Sequence, residues 1–427
     1  MRRARVARRW TSAHRSWLLT AALGCSNEAY ETAIDAGGAG SSPCGELAAA
    51  EPAPVLPGAQ PQYRLEPGHR GVAPPATQID AVPRAIWKTG PLAVGRYNAS
   101  KSSPAVDADV LYVGEDDGRL YALDRDSGAI RWAFATRRHF EEIGRGDGMS
   151  TGIHGSPAFD QSRVYVGDYA GWLYAVDRAS GSLVWERKLG GSIGSSPVLF
   201  GQGVLIAVEF PAPDGRVFAI CAEDGSLMYQ STFLGYHPHG TVSLHPTAGR
   251  LLVGTGAGSF FGLDLARGSV LWEARVAGAI KSTAAIGDTM AYVTAFDGML
   301  HAVDVSTGWS RFEVQTGGPS MSSPALHEGL ACFGSHDTRV RCVDAATGAV
   351  AWEAATGGIV SSSPTIVPAS RLVLVGSTDG QLYAFGLDDG TLAWQVTLDA
   401  AMTSVAVAVD RSVFVNDDSG TVWRFDG

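Results

Sequence analysis

Leu120-Tyr121-Ala122-Leu123-Asp124-Arg125-Asp126-Ser127-Gly128-Ala129-Ile130-Arg131-Trp132 decides the fold, because the chain spells it repeatedly. The next copy reads Leu173-Tyr174-Ala175-Val176-Asp177, followed by Gly181 and Trp185. Later copies keep Ala302, Asp304 and Gly308, then Asp344, Gly348 and Trp352, then Ala384, Gly390 and Trp394. The Asp position falls at 124, 177, 221, 264, 304, 344, 386 and 426, a period of about 40 to 44 residues after one longer first step. Repeats of that length build propellers or solenoids.

One unit shows which. A Ser-Pro pair such as Ser103-Pro104 opens it, and residues 110–114 and 120–123 alternate with a two-residue period between Asp/Gly turns, as hairpins do. The Asp carboxylate can accept turn N–H groups, and Gly takes a positive φ that a Cβ resists. The Trp four residues later begins the outermost strand, where roughly 150–250 Å² of side chain can wedge against the neighbouring sheet. Full burial is worth up to roughly 4 to 6 kcal/mol per wedge at about 25 cal/mol per Å², an upper bound.

The last copy stops at Gly427, before its Trp strand. Ala85-Ile86-Trp87-Lys88 matches Ala129-Ile130-Arg131-Trp132 in kind and precedes the first full repeat, so it supplies the missing edge and closes a ring. The wedge positions are then Trp87, Trp132, Trp185, Tyr229, Trp272, Phe312, Trp352 and Trp394. The expected fold is all-β, an eight-bladed β-propeller over residues 81–427, closed by its N-terminal strand.

The pattern Ala-x-Asp-x-x-Ser/Thr-Gly-x-x-x-Trp resembles the tryptophan-docking repeat of pyrroloquinoline-quinone-like propellers, which include quinoprotein alcohol dehydrogenases and BamB-type lipoproteins of outer-membrane barrel assembly. The chain departs from it at Cys221 and Gly386, where Asp is expected, at Tyr229 and Phe312, where Trp is, and at Arg424, where a small residue is. The resemblance implies that quinoprotein enzymes hold their quinone under a disulfide of adjacent cysteines and ligate calcium with carboxylates and an Asn. No adjacent Cys pair occurs here. No Gly-x-Ser-x-Gly elbow, His-Glu-x-x-His or P-loop is present either, so the sequence reads as non-catalytic, without cofactor or metal.

Ahead of the propeller, residues 1–24 carry six Arg and no acid, then the apolar run from Trp17 to Leu23. This is the make-up of a secretory signal. Ala22-Leu23-Gly24-Cys25 looks like a lipobox, with Cys25 as the lipid-modified residue and an outer-membrane lipoprotein as the product. Residues 25–80 are rich in Ala, Gly, Pro and Ser without periodicity and read as a flexible tether. The formal charge is −10; without the six leader Arg, 27 basic residues face 43 acidic ones. Such an acidic surface excludes nucleic acid as a partner.

Cys44 falls in the tether and Cys221 stands alone at a turn. Cys332 and Cys342 flank one hairpin, where a cross-strand disulfide and two small buried side chains both fit, the second being the simpler expectation. Two positions before each Ser-Pro equivalent stand Lys101, His154, Gly194, His239, Lys281, Met321, Ser361 and Met402, expected to ring the channel mouth and to offer an anion or acidic peptide a binding rim. A solvated rim of mixed polar residues is the plainer alternative. The insertion around residues 137–152 and the histidines His237, His239 and His245 are expected on loops. Asp116-Asp117-Gly118, Asp388-Asp389-Gly390 and Asn416-Asp417-Asp418 read as turn chemistry rather than calcium loops. The whole reads as an exported, lipid-tethered, monomeric scaffold that binds envelope proteins or peptides, with outer-membrane assembly as its most concrete version. A small-molecule oxidoreductase and a surface sensor or polysaccharide-binding module are the alternatives.

Overall fold

The computed structural model describes residues 43–45, 47, 62–64, 66, 68–92, 102–137, 152–210 and 214–427. Among them lie eight four-stranded antiparallel sheets. Blade 1 sets the unit: β2 (Ala105–Val106), β3 (Val110–Gly114), β4 (Arg119–Asp124) and β5 (Ile130–Ala135) are hydrogen-bonded in that order from the channel outward. β3 and β4 are buried almost throughout because a blade covers each of their faces, whereas β5 alternates exposed and half-buried. Blades 2 to 7 repeat this over residues 158–188, 198–230, 243–275, 285–315, 325–355 and 365–397.

Blade 8 confirms the closure. β30 (Val407–Val409), β31 (Ser412–Asn416) and β32 (Val422–Asp426) take β1 (Arg84–Lys88) as their outer strand, with Arg84 opposite Asp426 and Lys88 opposite Trp423.

The wedge side chains pack against the next blade, and six of the eight add a hydrogen bond; Trp394 Nε1 has none among the described residues. Trp87, Trp132, Trp185, Trp272 and Trp352 each donate the indole N–H to a carbonyl of the next blade, those of Arg125, Arg178, Ala222, Val305 and Leu387, at 2.8–3.0 Å. Tyr229 does the same with its hydroxyl, to Leu265. Phe312 has no donor, and the carbonyl at that place, Ala345 O, receives the Tyr292 hydroxyl instead at 2.6 Å. Every wedge ring but that of Trp394 also lies on the turn glycine of the next blade. At Gly308, φ is +74° and a Cβ would fall 2.5 Å from the Trp272 ring, so both the backbone and the packing require Gly.

A second ring runs round the channel. The hydroxyl residue that precedes each inner strand accepts the equivalent N–H of the blade before it: Ser103 to Ser156, Ser156 to Ser196, Ser196 to Thr241 and Thr241 to Thr283, all at 2.9–3.0 Å. It continues from Thr283 to Ser323, from Ser323 to Ser363, and from Val405 N–H to Ser103. Val405 holds the remaining position and has no hydroxyl to offer the Ser363 N–H.

The tether expectation is corrected at its C-terminal end, because residues 62–80 are folded into the propeller. The carbonyls of Gly68, Arg70 and Gly71 accept the N–H groups of Ile286, Leu326 and Ile366 on the innermost strands of blades 5, 6 and 7, at 2.9, 2.7 and 2.8 Å. Ala73 N–H returns a bond to Ile366 O, and Val72 forms a parallel bridge with Ile366. Arg64 is buried, its guanidinium donating to Ser323 O at 2.5 Å and Pro364 O at 3.3 Å. His69 is wholly buried, with its two nitrogens 2.8 and 2.9 Å from Tyr63 O and Val242 O. Lacking periodicity, the segment gave no sign of order; its bonds are main-chain bonds to unpaired inner edges, which composition does not report.

Both disulfides also correct expectations. Cys44 is bonded to Cys221, and Cys332 to Cys342. Cys332 and Cys342 are directly opposite on neighbouring strands of blade 6, the register the sequence left open. Residues 1–24, Cys25 and the insertion from residue 138 to residue 151 lie outside the described residues.

Candidate functional site: the channel mouth

The loops that enter the Ser-Pro segments meet the turns that follow Gly114, Gly167, Gly254, Gly334 and Gly376 at one end of the channel, and this end is the mouth. Among the described residues the entering loops are clamped between two blades. Ile153 N–H, for example, donates to Glu115 O, while Gly152 O accepts Tyr169 N–H. The opposite end, the underside, carries the other two turns of every blade, Cys221 and the N-terminal segment.

His154 and His239 stand at the mouth, each against a carboxylate. His154 Nε2 lies 3.0 Å from Asp116 Oδ1, and its ring packs on Tyr169 with centroids 4.1 Å apart. His239 Nδ1 lies 2.7 Å from Glu209 Oε1. Burial, with Glu209 and Asp116 nearby, pushes the Tyr169 hydroxyl well above its usual range. Lys281 sits with its ammonium 5.4 Å from the centroid of Phe296, a cation–π distance, and Phe296 meets His336 edge-on. Burial lowers His336, whose Nε2 is 3.2 Å from Ser361 Oγ.

Met321 is half-buried at the rim, and Lys101 lies outside the described residues. Met402 is not a rim residue: it is wholly buried and packs over Gly376, as Ile153 packs over Gly114 and Ile193 over Gly167. The hydroxyl ring shows why. Val405, not Ser404, is the equivalent of Ser103, so the rim position moves by one to Thr403, whose hydroxyl donates to Asp418 at 2.7 Å.

The anion-binding rim is therefore corrected. The carboxylates of Asp116 and Glu209 offset the two histidines, and the surface offers ring N–H groups, hydroxyls, an aromatic-backed Lys and buried acids. Sequence reasoning read Asp116 only as turn chemistry and did not single out Glu209, which ends a strand, or Tyr169. The three loop histidines are not brought together: His237 and His239 are neighbours at the mouth, with ring centroids 6.1 Å apart, while His245 bonds Asp288 O on the underside. Among the described residues no group of three His, Cys, Asp or Glu is placed to hold a metal. Asp117 shows what the acidic turns do: its carboxylate accepts the Arg119 N–H at 2.9 Å and the Tyr121 hydroxyl at 2.8 Å. Neither disulfide lies at the mouth.

A family described as outer membrane protein assembly factor BamB matches residues 79–148, 134–243, 213–358 and 336–427. The chain is 29% identical over 176 residues to BamB of Nitrosomonas eutropha, covering 40% of this chain and 38% of that protein. It spans about half the length of the curated relatives it matches. Among solved structures, BamB from Moraxella catarrhalis is similar with a TM-score of 0.64 and 19% identity, over 81% of this chain and 98% of that one. Quinohemoprotein alcohol dehydrogenase from Comamonas testosteroni is similar with a TM-score of 0.72 and 14% identity, over 89% and 83%.

Proposed function

The chain belongs to the family of the outer membrane protein assembly factor BamB, and from that membership we propose that it is a non-catalytic scaffold of the bacterial envelope that takes part in assembling outer-membrane β-barrel proteins. The observation that carries the reading is the extent of the family match, from residue 79, ahead of the closing strand, to Gly427. The site chemistry supports it. The mouth presents fixed donors and acceptors, which suit recognition of protein surfaces. Export through residues 1–24, lipidation at Cys25 and a monomeric propeller facing the periplasm or the cell surface complete the proposal.

The test is affinity purification of the full chain from detergent-solubilised membranes. Co-purification of the barrel-assembly complex is the expected result; recovery without it, or with glycans or a signalling partner alone, overturns the assembly role. Replacing Cys25 by Ser should abolish labelling by a fatty-acid analogue, and unchanged labelling would remove the anchor.

The likeness to a quinohemoprotein dehydrogenase supports a second reading, an oxidoreductase. The two cystine bridges do not supply the adjacent-Cys platform that the resemblance implies for the quinone. Dye-linked oxidation of alcohols after addition of quinone and calcium would establish that reading in place of the scaffold.

A further inference from the structure

We propose that the inner edges of blades 5, 6 and 7 are an acceptor for a polypeptide segment that crosses them with left-handed turns, occupied here in cis by residues 68–73 and held shut by the Cys44–Cys221 disulfide. The proposal does not depend on the assembly role.

The bound segment crosses the three inner edges, pairing strand-like only at Ile366, with His69 and Gly71 in the left-handed region at φ +53° and +66°. Its carbonyls take the N–H groups of Ile286, Leu326 and Ile366, and Ala73 N–H returns a bond to Ile366 O. Main-chain pairing of this kind constrains the occupant's shape more than its sequence. Side chains supply the rest. Gly71 has φ +66° and lies where a Cβ would fall 1.9 Å from the Arg64 guanidinium, so that position demands Gly. The acceptors facing the segment are carbonyls: Ser323 O and Pro364 O for Arg64, and Val242 O for His69. The site therefore selects a segment that can turn left-handed where His69 and Gly71 do, with Gly at the second of these places and an Arg or His donor beside it.

The disulfide explains a departure in the repeat. In blades 1, 2, 4, 5 and 6 the Asp at this position accepts the N–H three residues on, as Asp124 does from Ser127 at 2.9 Å and Asp344 from Thr347 at 2.8 Å. Blade 3 gives up this cap for Cys221, which fixes Cys44 on the underside, with Leu47 buried in the core of blades 3 and 4. The segment is thus pinned at one end by Cys44 and at the other by β1. A dithiol reductant opens the latch by passing two electrons and two protons to the Cys44 and Cys221 sulfurs, breaking their bond and itself closing to a disulfide. Cys332–Cys342 lies within blade 6 and serves as an internal control.

The test combines hydrogen exchange at the Ile286, Leu326 and Ile366 amides with binding of a fluorescein-labelled peptide of the sequence 62–73, on the full chain. Oxidised wild type should exchange slowly and ignore the peptide. Cys44→Ser should exchange at least about tenfold faster, a loss of roughly 1.4 kcal/mol in local protection. Gly71→Val should displace the segment, bind the peptide and recover protection. Unchanged exchange in both variants overturns the proposal, as does a displaced segment with no peptide binding while circular dichroism reports an intact propeller. If Gly71→Val does not fold, Cys44→Ser decides: accelerated exchange that the peptide reverses supports the proposal, and any other result refutes it.

Discussion

Removing the Tyr292 hydroxyl should reveal how the protein compensates for a wedge without a donor. At six blade contacts a Trp or Tyr of the outer strand donates to the next blade; at the contact between blades 5 and 6, Phe312 supplies only the ring, and Tyr292 donates to Ala345 O at 2.6 Å. Tyr292→Phe leaves that carbonyl without this donor. A typical net hydrogen bond is worth about 1 kcal/mol, and a carbonyl left dry costs about 1–3 kcal/mol, so the expected loss is about 1–2 kcal/mol. In a Phe312→Trp background the indole N–H should reach the same carbonyl, as Trp272 reaches Val305 O and Trp352 reaches Leu387 O. A groove of about 960 Å³ beside Phe312 gives the larger ring room. Tyr292→Phe should then cost under about 0.5 kcal/mol, a coupling of about 1 kcal/mol. Urea unfolding of the four proteins, compared by midpoint at constant slope, measures it. Equal losses in both backgrounds would refute the reasoning.

Deleting residues 1–88 strips blade 8 of its outer strand and of Trp87, and should lower the melting temperature by at least about 10 °C; a melt that does not move would deny β1 its closing role. Burial, opposed by Glu66 and the two carbonyls, holds the pKa of His69 to about 4. Between that value and about 6.5 the unfolded chain binds the extra proton, so stability should climb with pH across this window by up to about 3 kcal/mol and level off above it. NMR titration of the His69 ring checks this, and a midpoint near 6.5 would contradict it. The Cys44–Cys221 bond closes a loop of 177 residues and Cys332–Cys342 one of 10, so loop entropy predicts losses of roughly 5 and 3 kcal/mol on removal; calorimetry of the two double-Ala variants should preserve that order.

The blades were legible because each repeat states its own turns and its own wedge, and closure followed from Trp87 standing outside any repeat. What escaped was long-range pairing that obeys no period. His154 reads as a basic rim residue until Asp116, from another loop, is found beside it. Met402 was misplaced by one position because Val405 lacks the hydroxyl that marks its counterparts. Cys44 and Cys221 are 177 residues apart, and nothing local in either announces the other. Residues 68–73 bind through their backbone, which any composition possesses.

The vacancy at Val405 has a mechanical meaning. The ring of hydroxyl-to-amide bonds is interrupted between blades 7 and 8, where the Thr365 hydroxyl reaches across to Ala406 O at 2.7 Å instead. The chain crosses beneath this point, where Ile79 N–H donates to Ser370 Oγ at 2.6 Å on one lip and Gln78 N–H to Asp410 O at 2.7 Å on the other. The seam is therefore held from two sides, by the Thr365 bond within the channel and by the crossing strap beneath it, and both must yield before the pore dilates there.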